Sequence, residues 1–198
     1  MNESKAAEDL AFIRNIMDES VSFAEVGGSY FVIWGSVTGI AMRLTWAIAG
    51  GYVPGTGSSI WSFWVLALFA GLGLSYWRGR RQKRAPVHHA VNNQIGAVWF
   101  AIGMPMLLLF FVGQSYGILQ ARAIPATAAA LLGAGIFMTG TLAKIRWLRS
   151  LAVAWWLASI GLMLIHGAKV FLVYGLLVFA LYVLPGLKLN RMARQRGV

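Results

Sequence analysis

The chain has no cysteine, and beyond Glu25 it has no aspartate or glutamate either. The first absence excludes disulfide bridges, thiolate metal sites and a cysteine nucleophile. The second leaves general acid–base catalysis without a carboxylate outside the N-terminal segment, so no catalytic residue is expected. Proton or sodium coupling, which usually relies on an intramembrane Asp, Glu or His, is left without a carboxylate in the same way. Charge of either sign is scarce, 12% of 198 residues, and five prolines leave long stretches unbroken.

What fills the chain is apolar: 59% of residues are hydrophobic, and the mean hydropathy is +0.68. A water-soluble domain cannot carry that much and still cover itself with polar groups. The expected fold is an all-α integral membrane protein with about six transmembrane helices. Apolar runs of about 20 residues are long enough, at 1.5 Å per residue, to cross roughly 30 Å of hydrocarbon. They fall at Tyr30 to Gly50, Ile60 to Trp77, Ile95 to Gly113, Ile124 to Ala143, Leu151 to His166 and Val170 to Leu187. Three regions follow: an acidic cytosolic helix over 1–29, a six-helix bundle over 30–187 and a basic tail over 188–198. The opening MNESKAAEDL is polar and acidic where a secretory signal would be basic and then apolar, so no cleaved signal is expected.

With the N-terminus inside, fourteen of the seventeen Lys and Arg fall on one side, Arg122 and Lys169 fall outside, and Arg43 lies within a span. The positive-inside rule then predicts that both termini are cytosolic. Trp61, Trp64, Trp77, Trp147 and Tyr116 sit near span ends, where amphipathic rings favour the headgroup level. Basic residues in RGRRQKR are explained by the same topology, so no direct nucleic-acid contact is expected.

The six spans read as three copies of one hairpin. Each first helix carries an early Trp and then small residues, in VIWGSVTGIAM, AVWFAIGMPM and AWWLASIGLM. Convergent membrane composition is the competing explanation. Small residues at spacing four, in Gly35 and Gly39, in Ala67, Gly71 and Ser75, and in Ala129 and Gly133, allow backbones to approach closely, either within the bundle or between copies of the chain. Pro105 is expected to kink the third span, Pro125 to open the fourth and Pro185 to close the sixth.

In residues 1–29, Leu10, Ile13, Met17 and Val21 recur at helical spacing on one face, and Gly27 and Gly28 end the run. Two basic and six acidic residues give this helix a net charge of −4, so an anionic lipid leaflet repels it. It docks either on the basic cytosolic face of its own bundle or in an apolar groove of a partner protein. The stretch IRNIMDESVSF, Ile13 to Phe23, followed by Gly27 and Gly28 and an apolar span, resembles the opening of an uncharacterised group of bacterial inner-membrane proteins. That resemblance implies a cytosolic helix followed by six spans in a cell inner (plasma) membrane. It implies no activity and no site residues, though it suits an anchor or sensor for a soluble cytosolic regulator.

Arg43 is the one charge well inside a span, without a carboxylate partner there. It either snorkels to the outer headgroups or joins Gln114, Arg122, His166 and Lys169 in an outer pocket for an anionic ligand or lipid headgroup. Ser159 and His166 lie seven residues apart, roughly 10 Å along a helix, too far for a nucleophile pair. His88 and His89 lie on the opposite side of the membrane from His166, so no cofactor or metal is expected. Asn92, Asn93 and Gln94 cap the third span or line the inner mouth of a pore. Three functions stay open: a non-enzymatic regulatory or scaffold protein acting through helix 1–29, a passive channel or facilitator for a small anionic solute, and an accessory subunit of a larger complex. The expected partners are the lipid bilayer, a cytosolic regulator or membrane complex, and further copies of the chain.

Overall fold

The computed structural model describes residues 28–81 and 89–195, and among them every regular element is helical. The N-terminal face of Leu10, Ile13, Met17 and Val21, the loop position His88 and the last three residues lie outside the described residues. Helix α1 spans Gly28–Ala49, α2 Gly57–Arg81 and α3 His89–Leu107. A π-helical stretch, Leu108–Gly113, prolongs α3, and a 3-10 turn, Ala121–Ala123, leads into α4, Ile124–Leu142. Helix α5 spans Arg146–Met163. A last rod then runs as α6, Lys169–Val178, a π-helical turn, Phe179–Val183, and α7, Leu184–Gln195.

Five rods are long and apolar enough to cross a membrane: Gly28–Ala49, Gly57–Arg80, Asn93–Gly113, Ala121–Leu142 and Lys169–Gln195. Helix α5 stands apart by composition, because its 18 residues open on Arg146, Trp147 and Arg149. It begins five residues before the expected Leu151. The cause is a tight turn in which Lys144 takes a left-handed φ of 54° and the Ile145 N–H donates to the Gly140 carbonyl at 2.8 Å. The last rod likewise runs past the expected end at Leu187. Pro185 heads α7 rather than closing a helix. Proline has no N–H to give the carbonyl four residues back, and that carbonyl, of Leu181, accepts instead from the Trp155 indole at 3.3 Å. Pro125 sits in the first turn of α4, as expected.

Neighbouring rods run in alternating directions. Between α1 and α2, Trp34 fills the space over Gly71 and the Trp64 indole donates to Thr45 Oγ1 at 3.1 Å. Trp61 and Trp64 at the head of α2 meet Phe110 at the end of the α3 rod, centroids 5.4 and 4.8 Å apart. Gly135 of α4 faces Trp99 and Ile102 of α3. Helices α4 and α5 pair along their whole length. Gly140 abuts the Arg149 backbone, Gly133 abuts Trp156, and Ser159 Oγ donates to the Ala126 carbonyl at 2.8 Å.

Glycines close the ring between the first and last rods. Gly28 faces Gly186 and Asn190, Gly35 faces Val183, and Gly39 faces Gly175. The close approach read from Gly35 and Gly39 is therefore made inside the bundle. The pairings descend α1 as they climb the last rod, so the two are antiparallel. At their shared end Phe31 stacks on Tyr182, centroids 4.5 Å apart, and meets Trp99 edge-on. The deepest core is Trp155, Tyr174, Ile136 and Leu148.

Two observations repeat by hairpin. Trp34 packs on Gly71, Trp99 on Gly135 and Trp155 on Leu181, each an early tryptophan against the second helix of its own hairpin. Each hairpin also turns through one left-handed glycine, Gly51 (φ 75°), Gly117 (φ 68°) and Gly167 (φ 72°), a conformation that other residues adopt at a cost.

Candidate functional site

The alternating rods give the bundle two chemically distinct ends. One gathers Arg78 and Arg80 at the close of α2, Lys144, Arg146 and Arg149 around the α4–α5 turn, and Lys188, Arg191 and Arg194 on α7. Contacts tie these segments to the same end. Gly79 lies beside the Tyr30 hydroxyl at the start of α1, Ser29 Oγ donates to Asn190 Oδ1 at 3.4 Å, and Lys188 Nζ sits 4.6 Å from the Trp147 ring centroid. All eight cations are exposed or half-buried. The described chain begins at this end, so the acidic residues 1–25 precede a helix that starts among these cations.

The far end carries Gln114, Arg122 and His166, on the segments that join α3 to α4 and α5 to α6, and Lys169, the first residue of α6. Arg122, His166 and Lys169 are exposed and Gln114 is half-buried. Arg122 Nε donates to Gln120 Oε1 at 2.8 Å rather than to Gln114. Arg43 is exposed on α1, six residues from its end, and flanks the contact with Gly175. Among the described residues no hydrogen bond links any two of the five. Ser159 is buried and bonded to α4, while His166 is exposed. Asn93 and Gln94 are exposed at the head of α3.

Two tryptophans expected as headgroup anchors also serve the packing. Trp64 bonds to Thr45 and Trp61 tilts against Phe110 and Phe111. Trp147 tucks its indole nitrogen away from solvent beneath Lys188, whereas Tyr116 and Trp77 are exposed.

A feature that no single residue announces lies between the rods. Helices α2 and α3 bury few of their residues, whereas α4 and the last rod bury about half. The looser half leaves a cleft of about 730 Å³ walled by α1, α2, the α3 rod and α4, with Tyr174, Val178 and Tyr182 at its back. Its walls include Trp34, Trp64, Trp99, Phe110, Leu68 and Leu131, and no charged residue lines it. Gly96 and Gly103 of α3 face open space there, since a Cβ on either would meet nothing within 4 Å. None of Arg43, Gln114, Arg122, His166 and Lys169 contributes to the lining. The cleft was not legible in the sequence, because its lining residues, mostly aliphatic and aromatic, read singly as ordinary apolar surface. The nearest signal was the run of small residues on α3.

Comparison with protein families, with curated proteins and with solved structures finds no match for this chain.

Proposed function

We propose that this is a non-enzymatic regulatory or scaffold protein of a bacterial inner membrane, which crosses the bilayer six times and engages a cytosolic or membrane partner through its acidic N-terminal segment. The observation that carries the reading is the basic end of the bundle, from which α1 starts. By the positive-inside rule that end faces the cytosol. The antiparallel pairing of α1 with the last rod supports an even number of crossings. Five strongly apolar rods alone would make it odd, so α5 is counted as the sixth, with Arg146 and Arg149 at the cytosolic headgroups. The repeated tryptophan contacts and glycine turns support three hairpins of one kind. The resemblance of Ile13 to Phe23 to a bacterial inner-membrane group supports the location.

An anion channel fits the cleft less well, because a conducting path needs polar groups along its length and the cleft walls are apolar. Acid–base enzymology has no carboxylate in the bundle. The test is affinity purification from native membranes in mild detergent, comparing the intact chain with one lacking residues 2–26. A defined protein recovered only with the intact chain is the expected result. Purification of both forms alone, with the same oligomeric size, contradicts it.

A further inference from the structure

We propose that the cleft between α1, α2, α3 and α4 binds a single membrane phospholipid, with an acyl chain along the cleft and an anionic headgroup at its basic end. This rests on the reading that the chain lives in a bilayer. Protein interiors pack closely, and an apolar void stays dry, so a space of about 730 Å³ without a charged wall is filled by apolar matter. In a bilayer the matter at hand is the acyl chain.

The shape agrees. Along α1 the walls run from Tyr30 to Met42, and along the α3 rod from Ile95 to Phe111. At 1.5 Å per residue these rows are about 18 and 24 Å long. The chains of one leaflet cover about 15 Å, half of the hydrocarbon layer. A compact ligand would leave most of such a cleft empty, whereas an extended chain follows it.

The cleft begins at the basic end of the bundle, and the charge there selects the headgroup. Tyr30 lines the cleft at the basic end, and its hydroxyl lies beside Gly79 of α2. Arg78, which precedes that glycine in the chain, is half-buried, while Arg80 is turned to the exposed Tyr76 ring, 5.6 Å from its centroid. Basic positions between membrane helices on the cytosolic side suit a lipid phosphate, which guanidinium groups bind through charge-assisted hydrogen bonds. The apolar walls and the basic end of the bundle beside them thus match the two halves of an anionic phospholipid.

The open space at Gly103 provides the test. The full chain is purified, equilibrated with phosphatidylglycerol or phosphatidylcholine in mixed micelles, and weighed by native mass spectrometry. The wild type is expected to retain one phosphatidylglycerol in preference to phosphatidylcholine. Gly103→Phe and, independently, Gly96→Leu fill the cleft and should lower that retention about tenfold or more. Gly161→Leu, equally free of neighbours but outside the lining, should retain lipid as the wild type does. Arg78→Gln should erase the preference between headgroups. Helical circular dichroism and melting identify any variant that fails to fold, and the other cleft variant then decides. Equal retention by wild type and the folded cleft variant, or equal retention of the two lipids by the wild type, overturns the proposal. A chain lost from carbonate-washed membranes overturns the bilayer reading itself, whereas a membrane-retained chain that holds no phosphatidylglycerol overturns this proposal alone.

Discussion

Trp155 is fully buried and serves two purposes at once. Its ring meets Tyr174 and Tyr182, centroids 6.2 and 6.4 Å away, and its indole donates to the Leu181 carbonyl that Pro185 cannot serve. Trp155→Ala opens a cavity and leaves that carbonyl without the indole, and is expected to cost about 3 kcal/mol or more. Leu157→Ala, two residues on and largely exposed, should change little, because lipid is as apolar as the side chain removed. Thermal unfolding in one detergent compares the two, and equal shifts would contradict the assignment. The Ser159 hydroxyl ties α5 to α4. Hydrogen bonds between membrane helices average about 0.6 kcal/mol, so Ser159→Ala should lower stability by about that amount in the same assay.

At the scale of the helices, glycine decides how closely rods approach. A Cβ on Gly186 would meet the Gly28 carbonyl and Phe31 Cβ, each at 2.8 Å, and one on Gly140 would meet the Arg149 nitrogen at 2.9 Å. Backbone cannot yield as a side-chain tip can. Gly186→Leu and Gly140→Leu should therefore each cost about 1–3 kcal/mol or more, while Gly161→Leu, in open space, leaves the melting temperature unchanged or raised. Gly167→Ala forces a side chain into a left-handed φ of 72° and should cost about 1 kcal/mol. Most of this layer was legible from composition. Apolar runs located the rods, the spacing of Gly35 and Gly39 announced a close contact, and Pro125 opened its helix. The π-helical stretches at Leu108–Gly113 and Phe179–Val183 were not legible, since a wider turn needs no particular residue. The early start of α5 was hidden too, because its first turn is held by a left-handed Lys144 where glycine would be the usual marker. The cleft escaped for a third reason: it is a gap between apolar surfaces, and each of those surfaces alone looks like any other.

For the whole molecule the governing quantity is charge asymmetry between the two ends. The basic end holds Arg78, Arg80, Lys144, Arg146, Arg149 and three cations of α7, against Arg122 and Lys169 at the other. This asymmetry gives the six-crossing reading its orientation, and α5 is the rod on which the reading depends. The absence of cysteine makes the native chain a ready background for single substitutions. The decisive measurement is labelling of Gln120→Cys, Ala168→Cys, Lys144→Cys and Gln195→Cys in intact spheroplasts by a membrane-impermeant maleimide. The account predicts that Gln120→Cys and Ala168→Cys react at once, and that Lys144→Cys and Gln195→Cys react only after the membrane is permeabilised. Reaction of Lys144→Cys and Ala168→Cys from the same side would mean that α5 does not cross, and would contradict the account.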